Sequence, residues 1–384
     1  MRSFAEAAQS RLDCAIYQRM RKSYIEAQRR DHGRKAVAVL PVHYPKELLT
    51  AMDVLAVELW GPPGPPRGPD SGRLQAYVCA VVRNALAFLA SGGADAVDAV
   101  LFPHTCDSIQ GLATLAPDFG GWGKVTLRYQ HPKGEWRPSV RAFVTGELAS
   151  LTAGLEALTG RPLDVKALGR AIALHHEVDV LRARLLENRA RLPLDDRALY
   201  TLLRRGEFLW PADHLTELQS AIAKLAAEPV QKGVPLMVTG YVPEPMSLFD
   251  TLTQAGAYVA ADDYAAVGRR VMREVPSLPD EPLAALAQLQ FTGPPCPTRG
   301  VPQNRRLDWL KLLYDRGGAK GLIIHTVKFC EPELFDVPAI KKHFAERGVP
   351  VLSIEGELEA QLSGQTATRL EAFVEMVASG RRAA

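Results

Sequence analysis

The sequence has no closely spaced pair of cysteines. Its five cysteines, at positions 14, 79, 106, 296 and 330, are scattered through 384 residues, so any site they share must be assembled by the fold. So few cysteines in a chain of this length do not suggest a disulfide framework. There is no excess of either charge: 46 basic against 43 acidic residues leave a formal charge of +3, which gives no case for nucleic-acid binding. Basic stretches such as Arg182–Arg191 are mixed with acids and read as solvated helix faces. No segment is apolar for long enough to span a membrane, and the opening MRSFAEAAQSRLDC lacks the apolar core of a secretory signal. A reducing cytoplasm, where thiols persist, is the expected location.

Several nucleotide and metal signatures are missing too. Gly120-Gly121-Trp122-Gly123-Lys124 superficially suggests a phosphate loop, but Val125 follows the lysine where Ser or Thr is required, and the earlier glycine is absent. There is no convincing GxGxxG. His175-His176-Glu177 is not HExxH and reads as a polar cluster on a helix surface. The chain is therefore not expected to hydrolyse ATP itself.

What is present is a βα alternation in a chain of ordinary composition, 47% hydrophobic and 23% charged. Apolar runs predict strands at Ala36–Leu40, Val54–Leu59, Ala99–Phe102, Lys124–Arg128, Pro235–Thr239, Tyr258–Ala261, Gly321–His325 and Val349–Ile354. Helices are expected at Lys46–Met52, Leu74–Leu89, Ser108–Ala113, Pro338–Arg347 and Thr366–Val377. Residues 137–228 show helical spacing (Val165, Leu168 and Ile172, then Val178, Leu181 and Leu185) and no convincing strand. The pattern predicts an α/β fold of two doubly wound parallel sheets. Its expected parts are a helical leader (1–35), a first α/β domain (36–136), a helical connecting region (137–230) and a second α/β domain (231–384). GPPGPPRGPD (Gly61–Asp70) reads as an exposed loop.

Two cysteines share a local grammar. The strands at Ala99–Pro103 and Gly321–His325 are each followed by His-Thr, then a cysteine and an acid: Cys106-Asp107 and Cys330-Glu331. Asp107 can cap the following helix and Pro332 suits a first helical turn. Both cysteines thus fall beyond strand carboxyl ends, where open α/β sheets place ligands, and near helix amino termini, whose dipole favours the metal-binding thiolate. Cys79 lies in a stretch that reads as helical, with Tyr77, Val81, Ala85 and Phe88 available for a packed face. Three such thiolates can hold an iron–sulfur cluster, although a buried cysteine is also a common small hydrophobe. Cys296, in the Pro-rich FTGPPCPTRG, is a rival ligand, and Cys14 reads as structural or exposed.

Taken together, PVHYPKELLTAMDVLAVELWG (Pro41–Gly61), LQAYVCAVVRNAL (Leu74–Leu86), LFPHTCDSIQGL (Leu101–Leu112), GAYVAADDYAAVGRR (Gly256–Arg270) and VKFCEPELFDVPAIKKHF with the segment after it resemble the 2-hydroxyacyl-CoA dehydratase and benzoyl-CoA reductase family. The resemblance implies an enzyme subunit carrying a [4Fe–4S] cluster on Cys79, Cys106 and Cys330, with one iron left open. It implies ketyl-radical chemistry on an acyl-CoA thioester, a homologous second subunit and a separate ATP-hydrolysing iron–sulfur activator. A double-cubane-type reductase or electron-transfer protein acting on a small molecule is the alternative. His104 and His325 are candidates for hydrogen bonds to cluster or substrate, against simple strand-end packing. Glu47 is a candidate proton carrier, against a role as helix-dipole partner. Asp262, Asp263 and Arg269 are explained by an ion pair or a cap, and Gly240 by backbone clearance at a strand end.

Overall fold

The computed structural model describes residues 21–60, 74–119, 122–271, 275, 281–359 and 361–380. Cys14, the Gly61–Asp70 loop, and Gly120 and Gly121 lie outside the described residues, as does the leader up to residue 20. The described part of helix α1 covers residues 21–32. The fold divides into two compact units. One is built from residues up to 178 with 205–215 and 273–293, and the other from 179–204, 216–272 and 294–384.

The first unit contains a parallel sheet in the order β2-β1-β3-β4. Its strands are β1 (Lys35–Val39), β2 (Val54–Glu58), β3 (Ala99–His104) and β4 (Val125–Gln130). The inner strands β1 and β3 are buried almost throughout, whereas β4 alternates between buried and exposed. This is the pattern of a parallel sheet covered on both faces that ends in a half-exposed edge strand. Helices α2 (Lys46–Ala51), α3 (Ala80–Ala90) and α4 (Asp107–Phe119) connect the strands. One core joins Val37, Val39 and Leu101 of the sheet to Leu148, Leu155 and Leu168 of the helices α5 (Pro138–Thr159) and α6 (Val165–Glu187), and to Leu286 of α10 (Pro282–Leu289). Pro138 opens α5 and Gly160, at φ 69°, ends it, as Pro and Gly do at the two ends of helices.

The second unit repeats the arrangement. Strands β5 (Val234–Gly240), β6 (Ala257–Tyr264), β7 (Gly321–Val327) and β8 (Val351–Gly356) are parallel in the order β6-β5-β7-β8. Each unit thus has the first strand between the second and third, so the order of strand addition reverses between the first and third strands. That crevice is the topological switch point at which doubly wound sheets bind ligands. The core packs Met237, Leu322 and Ile324 against Leu310 of α11 (Gln303–Arg316) and Phe344 of α12 (Glu331–Ala345). Helices α9 (Ser247–Gln254) and α13 (Gly364–Ala378) complete this unit.

All eight expected strands are present, with no end moved by more than three residues. Residues 137–228 are helical without a strand, adding α7 (Asp196–Arg204) and α8 (Pro211–Ile222). Three expectations need correction. Helix α3 begins at Ala80 rather than Leu74, so Tyr77 lies outside it and is 61% exposed. Helix α12 begins at Glu331, with Pro332 in its first turn and Pro338 inside it. The basic stretch 182–191 is not merely a solvated face, because Arg182 and Arg189 are buried.

Candidate functional site

In the first unit the carboxyl ends of the strands carry the chemistry. The chain leaves β1 through Pro41–Pro45 with Val42 at φ 77° and His43 at φ 55°. Left-handed backbone is a genuine outlier for a β-branched valine and marks strain of about 1–3 kcal/mol. Helix α2 follows, and Glu47 in its first turn is fully buried. The β2 end is held by Glu58, whose carboxylate accepts from Tyr44 Oη and Trp60 Nε1, both at 3.0 Å. Beyond β4, His131 is buried, with its ring 5.3 Å from that of His43 and 5.0 Å from that of Phe291.

Cys106 follows the third strand after one intervening residue, at the switch point, and directly precedes α4, whose first residue is Asp107. Cys79 is the N-cap of α3. All three family-matched cysteines therefore sit at helix starts. Burial pushes the Cys79 thiol up to about 12, and the nearby Cys106 thiol adds to this, against the opposing N–H groups of Val82 and Val81. Burial likewise raises Cys106, opposed by the N–H groups of Ile109 and Ser108. The helix-start amides act in the expected direction, towards thiolate, and desolvation opposes them more strongly. These are thiols that ionise when a cation replaces the proton.

Two soft sulfur donors within electrostatic reach of each other, among helix-start amides, fit one side of an iron–sulfur centre. Among the described residues, no three His, Cys, Asp or Glu side chains converge on a metal-holding geometry. Cys330 belongs to the second unit, where it caps α12 after the third strand of that sheet, the position Cys106 holds in the first. Its predecessor Phe329 is left-handed, at φ 62°.

Behind Cys330 lies a buried ion network. Arg269 donates from Nε to Asp263 Oδ2 at 3.0 Å and forks onto Glu333, with Nη2 to Oε2 at 3.0 Å. Arg306 forks onto Asp263, which also accepts from Thr239 Oγ1 at 2.7 Å and Trp309 Nε1 at 3.0 Å. Burial acts to raise Asp263, but the two guanidiniums outweigh it and hold the carboxyl below its ordinary range. Glu333 stands in the first turn of α12, so the network pins the helix start that presents Cys330. Cys296 is fully buried beside this network, 3.1 Å from Thr298 Oγ1 and 3.7 Å from Arg269 Nη1. The ion-pair reading of Asp263 and Arg269 holds. Asp262 caps the backbone N–H groups of Tyr264 and Gly268.

The structure separates the two histidines. His104 ends β3 half-buried, whereas His325, inside β7, is buried with Nδ1 2.8 Å from Tyr264 Oη. Burial lowers His325 to about 4. A histidine depressed below its unfolded value of about 6.5 favours the fold above that pH and loses this contribution as pH falls towards about 4, a swing of roughly 3 kcal/mol. Urea midpoints should therefore fall more steeply between about pH 6.5 and 4 in the natural protein than in His325→Gln, and parallel curves would contradict this. His175, expected on a helix surface, is buried with Nε2 2.9 Å from Thr50 Oγ1. Sequence reading missed His43, His131 and Arg306. The proline-bounded PVHYP was the only signal for the first, and nothing local marked the other two.

Two parallel sheets of the same strand order, each with a cysteine at a helix start beyond its third strand, make this a two-unit α/β protein. The family model for the 2-hydroxyglutaryl-CoA dehydratase D-component matches residues 41–377, and the chain belongs to this family. It is 27% identical over 362 residues to the beta subunit of the lactoyl-CoA dehydratase of Anaerotignum propionicum, covering 93% of this chain and 95% of that one. It is 28% identical to a subunit of the benzoyl-CoA reductase of Thauera aromatica, covering 87% and 88%. It is 25% identical to the beta subunit of the (R)-2-hydroxyglutaryl-CoA dehydratase of Acidaminococcus fermentans, covering 91% and 94%.

Proposed function

We propose that this chain is the iron–sulfur subunit of an enzyme that acts on an acyl-CoA thioester by low-potential single-electron chemistry, either dehydrating a 2-hydroxyacyl-CoA or reducing an aromatic acyl-CoA. The observation that carries the reading is the repeated placement of Cys106 and Cys330 at the switch points of like sheets, with Cys79 electrostatically coupled to Cys106. Cys79, Cys106 and Cys330 would hold a [4Fe–4S] cluster. When bound, such a cluster supplies the low-potential electron and, at an iron without a cysteine ligand, Lewis acidity towards a thioester oxygen.

The chain's own residues then have distinct tasks. Cys296, held by Thr298 and Arg269, serves the ion network rather than the cluster. Arg269 and Glu333 fix the helix start behind Cys330. Glu47 is the buried carboxylate at the α2 start that moves a proton, and His104 and His325 supply hydrogen bonds at the two third strands. The relatives are each named as one subunit of a larger enzyme, which supports a homologous partner subunit. The absence of a phosphate-loop motif agrees with a separate ATP-hydrolysing activator. No helix among the described residues is long and apolar enough to cross a membrane, which is compatible with work in the cytoplasm.

Anaerobic assay of the chain with its partner subunit and activator, on a 2-hydroxyacyl-CoA and on benzoyl-CoA, tests this reading. Turnover of one of them is expected, and turnover of neither contradicts it.

A further inference from the structure

A cavity of about 70 Å³ opens at the carboxyl ends of β7 and β8. Its walls include His325, Ile354, Glu355, Glu357, Glu359 and Thr366. The hydroxyls nearby are already engaged, because Ser363 Oγ caps α13 by accepting from Thr366 N and lies 2.8 Å from Thr366 Oγ1. The polar side chains left to face a ligand are therefore the carboxylates of Glu355 and Glu359 and the imidazole of His325.

The imidazole has a defined tautomer. His325 is 3% exposed and Tyr264 is fully buried. Among the described residues, the hydrogen-bond partner of the Tyr264 phenol is His325 Nδ1, at 2.8 Å. If the phenol accepted a proton from Nδ1, its own hydrogen would be buried without an acceptor, which costs about 1–3 kcal/mol. The phenol therefore donates to Nδ1, and the proton of the neutral ring resides on Nε2. Nε2 has no hydrogen-bond partner among the described residues, and the ring forms part of the cavity wall. The cavity thus holds one fixed, neutral N–H donor opposite a set of anionic acceptors.

A ligand suited to that pairing must offer an acceptor and a donor side by side and carry no negative charge. Phosphates and carboxylates satisfy the imidazole but are repelled by the glutamates. Amines and metal cations satisfy the glutamates but leave Nε2–H without an acceptor. A secondary amide meets both demands. We propose that the cavity binds a secondary amide, with His325 Nε2–H donating to its carbonyl oxygen and a rim carboxylate accepting its N–H. In this protein the amide is one of the two in the pantetheine arm of an acyl-CoA, an identification that rests on the function proposed above. The nucleotide end, with its phosphates, lies away from this acidic rim.

The test is nitrogen-15 NMR of the full chain labelled at histidine, prepared anaerobically, with His325 assigned by the signal that His325→Gln removes. The natural protein should show a neutral ring protonated on Nε2, and Tyr264→Phe should abolish that single tautomer. Pantetheine should shift the Nε2 signal saturably, whereas adenosine 3′,5′-bisphosphate should not. The double variant Glu355→Gln, Glu359→Gln should bind pantetheine roughly tenfold more weakly. A ring protonated on Nδ1, a His325 signal unmoved by saturating pantetheine, or an equal response to the bisphosphate would overturn the proposal. Iron measured on the same sample keeps the two readings apart. Missing iron counts against the cluster alone, and an unmoved His325 in iron-loaded protein counts against the amide site alone.

Discussion

Replacing Arg269 with alanine is expected to destabilise the second unit by about 3–5 kcal/mol, the loss typical when one partner of a buried pair is removed. The guanidinium is buried together with the carboxylates it serves, Asp263 and Glu333. Asp263 keeps Arg306 in the variant, but Glu333 loses both bonds of the fork, leaving its charge in a dry environment. Arg269→Lys keeps the charge without the two-pronged geometry and should recover only part of the loss. Removing the exposed pair Lys342–Glu346, 3.9 Å apart, should cost less than about 0.5 kcal/mol. Urea unfolding of the three variants checks the ranking, and an Arg269→Ala midpoint equal to that of the surface variant would show that the network adds no stability. Because Glu333 lies in the helix turn headed by Cys330, Arg269→Ala should also broaden the electron paramagnetic resonance signal of a reduced cluster, which a purely distant packing defect would leave unchanged.

Gly240→Ala is the second large effect. A Cβ at this position would lie 1.9 Å from the carbonyl oxygen of His325 and 3.1 Å from Tyr264. Gly240, the last residue of β5, and His325, inside β7, are ladder partners, so neither backbone can give way without opening the sheet. The expected cost is about 3 kcal/mol, at the upper end for overpacking. The distortion falls on the backbone of His325, so the variant should also shift the ring signals of His325. Unfolding midpoint and proton NMR check the two parts. A stable variant with an unperturbed His325 signal would mean that the strands relax without strain, and the clearance reading of Gly240 would fall.

Much of the fold was legible because buried parallel strands are continuous runs of Val, Leu, Ile and Ala. Ala99–Leu101 and Leu322–Ile324 need no partner information to be recognised. The like placement of Cys106 and Cys330 was legible too, through the shared His-Thr and the acid that follows each cysteine. Helix starts were less so. Tyr77 continues the apolar spacing of Val81, Ala85 and Phe88, and no Ser, Thr, Asp or Asn immediately precedes Ala80, so nothing marked Cys79 as the cap. Pro338 suggested a helix start although α12 had already run for seven residues.

The charge environment was the hardest part to read. A helix start suggests a thiolate, but Cys79 and Cys106 are so buried that desolvation wins. That depends on atoms distant in sequence. Arg306 reaches Asp263 across 43 residues and Arg269 reaches Glu333 across 64, separations at which no local pattern survives. The left-handed Val42 and His43 are equally hidden, since neither residue type announces that backbone.

The most direct test of the central claim is the iron and acid-labile sulfide content of anaerobically purified protein, measured beside Cys79→Ala, Cys106→Ala, Cys330→Ala and Cys296→Ala. About four irons and four sulfides per chain are expected in the natural protein and in Cys296→Ala, with most of both lost in the other three variants. A natural chain that stays free of iron after reconstitution, or a loss confined to Cys296→Ala, would contradict the three-cysteine cluster.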